Sequence, residues 1–297
     1  MHERARHGPG LPLILTHGWP SCFVEYLPLV PLLTDPAAHG IEGPAFDLVI
    51  PSLPGYGFSE RPVQPVTYRD VGRLWHRLMR GLGYERYAAG GSDFGSGVAT
   101  LMALDDPEPL IGLHLTNLEL DAYLGPSARP LSDVERAFLD RAERWSRAES
   151  GYKATQSTKP QTLAYGLNDS PAALCAWIVE KFRTWSDCHG DVERRFSRDQ
   201  LLTNVMIYWI TGTINSSTRL YYEARHHPWH LKPDTRIETP TAVANFPAEL
   251  MRPPRSWAER AYNVVRWTEM PSGGHFAAME EPALLADDIR AFFRELS

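Results

Sequence analysis

Asp93 lies in the middle of a glycine-rich segment, Gly-Gly-Ser-Asp-Phe-Gly-Ser-Gly from position 90 to 97, between an apolar run and the helical pattern of residues 98–104. Small residues two places to either side are typical of a sharp strand-to-helix turn, because the central residue takes strained backbone angles and its neighbours pack closely. Such a turn would raise the Asp93 carboxylate above a sheet. There it could attack a saturated carbon, displace the leaving group and become esterified to the substrate. The alternative is a glycine-rich turn whose Asp caps the following helix.

A histidine and a carboxylate follow the last two strand patterns and could complete this reaction. His275 comes after the final strand and just before the terminal helix, and Glu249 follows the preceding strand. The chain order nucleophile, acid, histidine is that of α/β-hydrolases, in which the histidine is a general base and the acid orients it. Glu119 and Asp121, after an earlier strand, are the competing acids, and the strand order favours Glu249.

Backbone donors could stabilise the charge that develops on oxygen in this chemistry. The loop Thr-His-Gly-Trp-Pro, positions 16–20, directly follows the strand pattern at residues 13–15. It could aim the backbone N–H of Trp19 at the turn, where with the N–H of Phe94 it would form an oxyanion hole. His17 could in principle act as a base, but it is predicted to be structural because His275 is better placed.

Short apolar runs alternate with amphipathic stretches, which predicts buried strands of a mostly parallel sheet flanked by helices. The clearest helical patterns cover residues 71–82 and 282–296. The sequence therefore predicts an α/β-hydrolase fold with its candidate residues at strand ends. The predicted strands contain residues 13–15, 48–50, 87–89, 113–115, 242–244 and 264–265.

The character of the sequence changes between about Ala122 and Pro233, where strand-like runs disappear and helix-like segments rich in Trp and Tyr take over. One helix is expected to begin at Ser170-Pro171 and another to cover residues 200–224. Their aromatic stripes are expected to pack this segment onto the main domain rather than to contact a ligand. We therefore expect an α/β core in two parts, residues 1–121 and 234–297, with an inserted helical lid over residues 122–233.

Composition restricts the partners that the protein could have. A formal charge of −6 over 297 residues, without a run of Lys or Arg, argues against nucleic acid or an anionic membrane and fits an uncharged small molecule. Three scattered cysteines, Cys22, Cys175 and Cys188, form neither a disulfide framework nor a metal-binding spacing. No apolar stretch is long enough to span a bilayer, so a soluble, cytoplasmic protein is expected.

Ordered motifs cover nearly the whole chain. They are His17-Gly18-Trp19-Pro20, the Leu-Pro-Gly-Tyr-Gly-Phe-Ser of positions 53–59, the turn at 90–96, Leu-Asn-Asp-Ser-Pro at 167–171, Leu-Leu-Thr-Asn-Val-Met at 201–206 and Gly-Gly-His-Phe-Ala-Ala at 273–278. In these motifs the chain resembles the microsomal-type epoxide hydrolase family of the α/β-hydrolase fold. The resemblance implies that Asp93 is the nucleophile, Glu249 the acid of a catalytic triad and His275 the base.

The same resemblance implies a catalytic role for the helical segment. Tyr152 and Tyr221 match two lid tyrosines whose hydroxyls hold the epoxide oxygen, and Tyr222 is the rival to Tyr221. Opening the ring builds negative charge on that oxygen, which two phenols can hydrogen-bond and then protonate. The implied reaction converts a small-molecule epoxide and water to a vicinal diol through an ester on Asp93, without a metal or organic cofactor.

Two other functions remain open at this point. A haloalkane dehalogenase also uses an Asp at the turn, but such enzymes typically place a tryptophan after it, where this chain has Phe94. A hydrolase-fold protein that binds a ligand without turnover is the second alternative.

The beginning of the chain departs from the family pattern. The family carries a long N-terminal segment with the first strands of the sheet, whereas only residues 1–12 precede the strand pattern at 13–15. The stretch Met-His-Glu-Arg at 1–4 resembles the end of a family strand, which suggests a truncated reading frame, a late start or a trimmed enzyme. Microsomal relatives hold a membrane anchor in that segment, so no anchor is expected here. An exposed sheet edge would favour self-association, with a homodimer as the candidate assembly.

Overall fold

The computed structural model describes residues 1–119, 122–233 and 235–296, and its centre is a seven-stranded sheet. The strands are β1 (His2–Glu3), β2 (Leu11–Thr16), β3 (Phe46–Val49), β4 (Tyr87–Gly91), β5 (Leu110–Leu115), β6 (Ile237–Asn245) and β7 (Tyr262–Glu269). Their order across the sheet is β1-β3-β2-β4-β5-β6-β7. β2 to β7 are parallel, and β1 pairs antiparallel with β3 at the edge. All six predicted strands are confirmed.

Helices cover the sheet and fill the interval between β5 and β6. Those outside this interval are α1 (Leu29–Thr34), α2 (Tyr68–Gly81), α3 (Phe94–Asp105), α10 (Arg255–Ala258), α11 (Ala277–Glu280) and α12 (Pro282–Glu295). Those within it are α4 (Asp133–Glu149), α5 (Gly151–Thr158), α6 (Pro160–Asp169), α7 (Pro171–Trp185), α8 (Arg198–Thr211) and α9 (Ile214–His226). Short 3-10 helices cover Phe23–Tyr26, Pro36–His39 and Val192–Arg194. The helices predicted at residues 71–82 and 282–296 are confirmed as α2 and α12.

Local sequence signals explain where several of these helices begin. At the start of α7 the Ser170 hydroxyl accepts a hydrogen bond from the Ala173 N–H at 3.2 Å, and Pro171 occupies the first helical position. This confirms the predicted start, since proline at that position loses no helical hydrogen bond. α8 begins with a reciprocal capping box between Ser197 and Gln200.

The prediction of one helix over residues 200–224 is wrong. α8 ends at Thr211, and α9 begins three residues later at Ile214. Gly212 between them adopts the left-handed conformation, with φ of 60° and ψ of 32°. A glycine takes this conformation at little steric cost and commonly ends a helix. The apolar pattern continued across the break because both helices turn an apolar face to the same interior.

Two apolar clusters hold the layers together. One lies on the sheet face under α1 and α12 and contains Leu48 and Phe292. The other contains Trp75 and Val98 from α2 and α3 together with Phe182 from α7 and Tyr208 from α8. The aromatic side chains of the helical interval therefore share a core with the helices that cover the sheet. Within the part of the chain that the structure describes, none of the helices is long and apolar enough to cross a membrane.

Candidate active site

The sharp turn predicted around Asp93 joins β4 to α3. Asp93 has φ of 52° and ψ of −126°, a strained conformation for a residue with a side chain. Its neighbours must be small: a Cβ on Gly95 would lie 1.8 Å from the Thr16 carbonyl oxygen. The strain is thus enforced by close backbone packing, and it lifts the Asp93 carboxylate above the carboxyl end of the sheet.

Hydrogen bonds fix the Asp93 carboxylate and its backbone. The Trp19 N–H donates to Asp93 Oδ1 at 2.9 Å, and the Asp93 N–H donates to Asn117 Oδ1 at 2.7 Å. Gly18 makes this approach feasible, because a Cβ there would lie 2.2 Å from Asp93 Cβ. The second carboxylate oxygen, Oδ2, lies 3.5 Å from His275 Nε2. One oxygen is therefore held by a backbone donor while the other faces the imidazole.

The imidazole of His275 is held between two carboxylates. Its Nδ1–H donates to Glu249 Oε1 at 2.8 Å, with Oε2 at 3.0 Å, which leaves Nε2 directed at Asp93. The backbone N–H of His275 donates to the Trp185 carbonyl at 2.9 Å, and the Trp185 ring meets the imidazole edge-on with centroids 5.3 Å apart. Residues from three strand ends and from α7 thus determine the position of this base.

The surroundings of His275 favour its protonated form. Burial of the imidazole by itself lowers the pKa of His275, but the charge of Glu249 and the hydrogen bond to Asp93 outweigh it and hold the pKa well above its usual value. The two flanking carboxylates therefore stabilise the imidazolium form of His275.

The rival acids predicted from the sequence occupy different places. Among the described residues, the carboxylates within 4 Å of His275 are those of Asp93 and Glu249. Glu119 lines the same cavity and accepts a hydrogen bond from Asn117 Nδ2 at 3.3 Å. Burial, followed by the charge of Asp93, raises the pKa of Glu119 to about 7. Asp121 lies outside the described residues.

Tyr152 on α5 and Tyr221 on α9 are brought together as the resemblance implied. Their rings are 5.9 Å apart and nearly perpendicular, and both contact the Trp19 ring. The Tyr221 hydroxyl is buried and has no hydrogen-bond partner among the described residues. Tyr222, the rival, is exposed and stacks on His226 with ring centroids 3.9 Å apart. Of the adjacent Tyr221 and Tyr222, Tyr221 is therefore the one that faces the cavity.

Both phenols keep their protons at neutral pH. Burial raises the pKa of Tyr152, with the charge of Asp93 as the next cause. Burial likewise raises the pKa of Tyr221 well above its usual value, and the neighbouring Tyr152 and Asp93 contribute in the same direction. Each hydroxyl is consequently available as a donor.

A cavity of about 480 Å³ joins these groups, a volume suited to a small organic molecule. Apolar side chains of the sheet loops and of the helical interval form much of its wall. Its lining includes Asp93, Tyr152, Tyr221, Glu249 and His275, with Tyr68, Phe94, Leu118, Trp145, Leu250 and Met251 as apolar neighbours.

His17 is turned away from this chemistry. Its Nε2 accepts a hydrogen bond from the Leu53 N–H at 3.1 Å, and its Nδ1–H donates to the Gly18 carbonyl at 3.0 Å. Burial lowers the pKa of His17 to about 4, so the ring is neutral. These contacts make His17 a structural residue of the loop that carries Trp19.

Sequence reasoning missed two residues next to the site. Asn117 supports the Asp93 backbone, and an amide two residues after β5 was the available signal. Lys181 lies buried against Tyr152. Its signal was a lysine at the helical spacing of the apolar stripe of α7, four residues before Trp185.

The fold and the site together define a class of protein. Residues 12–282 match the family described as the alpha/beta hydrolase fold. Epoxide hydrolase 1 of Sus scrofa is 40% identical over 311 residues, which cover 95% of this chain and 67% of the Sus scrofa protein. The chain thus spans about two thirds of the length of this relative.

Solved structures agree with this similarity. The crystal structure of juvenile hormone epoxide hydrolase from the silkworm Bombyx mori superposes with a TM-score of 0.88 and 33% identity, covering 100% of this chain and 75% of that one. The epoxide hydrolase of Aspergillus niger gives a TM-score of 0.85 and 32% identity, with coverage of 100% and 75%. The chain belongs to the epoxide hydrolase family of the α/β-hydrolase fold. Its reaction is the hydrolysis of an epoxide.

Proposed function

We propose that Asp93 opens the epoxide by nucleophilic attack and that His275, oriented by Glu249, hydrolyses the resulting ester to a vicinal diol. One observation supports this assignment above the others. The Asp93 carboxylate faces His275 at 3.5 Å, and the same cavity contains the two buried phenols of Tyr152 and Tyr221.

In the first half-reaction Asp93 Oδ2 attacks an epoxide carbon. Oδ1 stays on the Trp19 N–H, so Oδ2 is the oxygen free to react. The carbon–oxygen bond of the ring breaks, its electron pair goes to oxygen, and a proton from Tyr152 or Tyr221 neutralises that oxygen. The product is a hydroxyalkyl ester on Asp93. The phenolate regains a proton from water, and the proton that the His275 imidazolium gives up neutralises the hydroxide that this leaves.

In the second half-reaction a water attacks Asp93 Cγ while His275 Nε2 takes one of its protons. The tetrahedral oxyanion forms at Oδ1, opposite the Trp19 N–H, with the Phe94 N–H as the proposed second donor. Collapse releases the alkoxide of the diol, which takes the proton from His275 and leaves Asp93 as the carboxylic acid. Transfer of that proton to His275 Nε2, 3.5 Å from Asp93 Oδ2, restores the carboxylate. Because the ester of Asp93 carries no charge, the pKa of His275 is lower in this intermediate than in the free enzyme. His275 therefore loses its proton more readily in the intermediate, which is the step where it must act as a base.

We further propose that residues 122–233 are a lid domain on a core formed by residues 1–121 and 234–297. The lid would supply both tyrosines, and polar contacts support its seating on the core. Asn204 Nδ2 donates to the Pro20 carbonyl at 2.8 Å, and the Tyr208 hydroxyl donates to the Ser21 carbonyl at 2.6 Å. Both contacts lie on the loop that carries Trp19, so a shift of the lid would displace the Trp19 N–H, the proposed oxyanion donor.

Incubation with styrene oxide tests the assignment. Asp93→Ala is expected to form no diol. His275→Gln is expected to accumulate the ester, seen by intact-protein mass spectrometry as an increase equal to the mass of the epoxide. His226→Gln, on an exposed part of α9, is the matched control and should retain turnover. Halide release from a haloalkane, or binding of styrene oxide without turnover in the wild type, would contradict the proposal and support the dehalogenase or the non-catalytic alternative.

A further inference from the structure

Lys181 is a buried lysine in the second half of α7. Only 8% of its surface is exposed, and its neighbours on the same helix face include Ile178 and Trp185. Burying a lysine to this extent costs the ammonium much of its hydration, which its neighbours must offset. The proposed half-reactions give this side chain no role, so its position needs a separate explanation.

The ammonium of Lys181 lies over aromatic rings. Its Nζ is 4.7 Å from the ring centroid of Tyr152 and 5.6 Å from that of Trp185. Glu180 Oε2 is 2.5 Å away, but the Glu180 side chain is 49% exposed, so water screens its charge. Tyr152 is buried like Lys181, each with 8% of its surface exposed, so their contact is shielded from water and electrostatic interactions there are stronger.

We propose that Lys181 is a positioning residue that acts through Tyr152: its ammonium stabilises the negative charge that the Tyr152 oxygen gains while the hydroxyl gives its proton to the epoxide oxygen. The inference rests on the proposed role of Tyr152. The proton passes from the phenol to the oxygen of the opened ring. The phenolate then regains a proton from water, and the hydroxide is neutralised as in the proposed first half-reaction.

The electrostatic surroundings of Tyr152 show why such a cation would matter. Burial, and then the charges of Asp93 and Glu119, raise the pKa of Tyr152 and make its hydroxyl a reluctant acid. A nearby cation acts in the opposite direction, because it stabilises the phenolate. The other titratable groups that line the cavity with Tyr152 are Tyr68, Lys153, Tyr221, Arg225, Glu249 and His275, of which Lys153 and Arg225 are exposed.

Single-turnover kinetics of the full chain with styrene oxide test the proposal, with ester formation followed by rapid quenching and intact-protein mass spectrometry. Lys181→Met, which keeps the length of the side chain and removes its charge, is expected to slow ester formation about tenfold. Lys181→Arg keeps the cation and should stay within about threefold of the wild type. Glu180→Gln, the matched control at the neighbouring position, should slow neither half-reaction.

A double-mutant cycle separates this role from simple packing. In a Tyr152→Phe background Lys181→Met should have no further effect on ester formation. The hydroxyl whose proton transfer Lys181 is proposed to assist is absent from that background. The proposal would be overturned if Lys181→Met slowed ester formation equally in both backgrounds. It would also be overturned if the Met and Arg variants were equally slow, or if Lys181→Met kept the wild-type rate. A wild-type rate in Tyr152→Phe would also overturn it, because Lys181 is proposed to act through Tyr152. That result would leave the role of Asp93 untouched, which Asp93→Ala tests separately. If Lys181→Met fails to fold, Lys181→Gln takes its place in the cycle.

Discussion

At the scale of single residues, the proposed cycle makes the charge of His275 depend on the state of Asp93. Glu249 and Asp93 together hold the pKa of His275 well above its usual value in the free enzyme. Esterification of Asp93 removes one of these two anions. The imidazole must be neutral to accept a proton from water, so we expect the rate of ester hydrolysis to rise with pH until His275 in the ester intermediate is deprotonated. A flat profile of single-turnover ester decay from pH 5 to 8 would contradict this step.

Glu249→Gln should change both the rate and the pH profile of that step. Loss of the carboxylate removes the largest cause that raises the pKa of His275, so the acid limb of ester decay should move to lower pH. The rate on the plateau should fall about a hundredfold, because the imidazolium loses its partner. Ester decay followed by mass spectrometry across pH measures both effects.

Glu119→Gln is the control for that experiment. Its carboxylate lines the same cavity, but it is not among the described carboxylates within 4 Å of His275. The variant should move the acid limb much less than Glu249→Gln does, because Glu119 interacts with His275 only through its charge across the cavity. A larger loss of ester decay in Glu119→Gln than in Glu249→Gln would show that the competing acid predicted from the sequence is the functional one.

The sequence placed some of these residues much better than others. Asp93, Glu249 and His275 follow strand patterns, and parallel strands bring their carboxyl ends to one edge of the sheet, so their meeting was predictable. Tyr152 and Tyr221 lie on helices whose packing depends on the whole chain. Helical periodicity does not distinguish a catalytic phenol from an interfacial one, and only the resemblance indicated them.

At the scale of elements, the turn between β4 and α3 has the least steric freedom in the site. Gly95→Ala would place a Cβ 1.8 Å from the Thr16 carbonyl oxygen, a contact with backbone that no side-chain movement relieves. We expect loss of diol formation by at least about a hundredfold and a lower melting temperature, because β2 and α3 must separate to admit the methyl group.

Gly81→Ala provides the matched control. Gly81 ends α2, and a Cβ there would meet nothing within 4 Å. Alanine is the better helix former, so this variant should keep full activity and gain up to about 1 kcal/mol in the free energy of unfolding. If Gly95→Ala behaved like Gly81→Ala, close packing would not be what holds Asp93 in its strained conformation.

The elements also show where sequence patterns stop being informative. Each predicted strand is found because its apolar run is only a few residues long and alternates with helical patterns, which is typical of a strand buried in a parallel sheet. The break between α8 and α9 was missed, since Gly212 changes the direction of the chain without changing the periodicity of the apolar residues around it. The direction of a helix after such a glycine depends on what it packs against.

At the scale of the whole molecule, a buried ionic cluster around Glu135 joins α4 to the chain after β6. Glu135 Oε2 accepts from Arg260 Nη2 at 2.7 Å and from the Ser132 N–H at 2.9 Å. Its Oε1 accepts from Arg129 Nη2 at 2.8 Å and from Arg260 Nε at 2.9 Å. The Glu135 side chain is fully buried and that of Arg260 is nearly so, so the cluster ties the helical interval to the core away from the cavity.

Glu135→Gln should therefore weaken the fold without touching the site. The variant leaves Arg260 buried without its counter-charge, which should lower the free energy of unfolding at pH 7 by about 3 kcal/mol, measured by urea denaturation. The hydrogen bonds from Arg260 hold the pKa of Glu135 well below its usual value. A carboxylate with a depressed pKa contributes its full stability above the unfolded-state pKa and loses it as the pH falls toward the folded-state pKa.

The difference between the wild type and Glu135→Gln should consequently shrink below about pH 4.3, the ordinary value for a glutamate, down to the lowest pH at which the wild type stays folded. Glu143→Gln, which breaks an exposed pair with Arg147 on the same helix, should cost no more than about 0.5 kcal/mol at any pH. A deficit in Glu135→Gln that did not change with pH would assign the loss to packing rather than to charge. Turnover of styrene oxide by folded Glu135→Gln should match the wild type, because the cluster stabilises the attachment of the helices and not the geometry around Asp93.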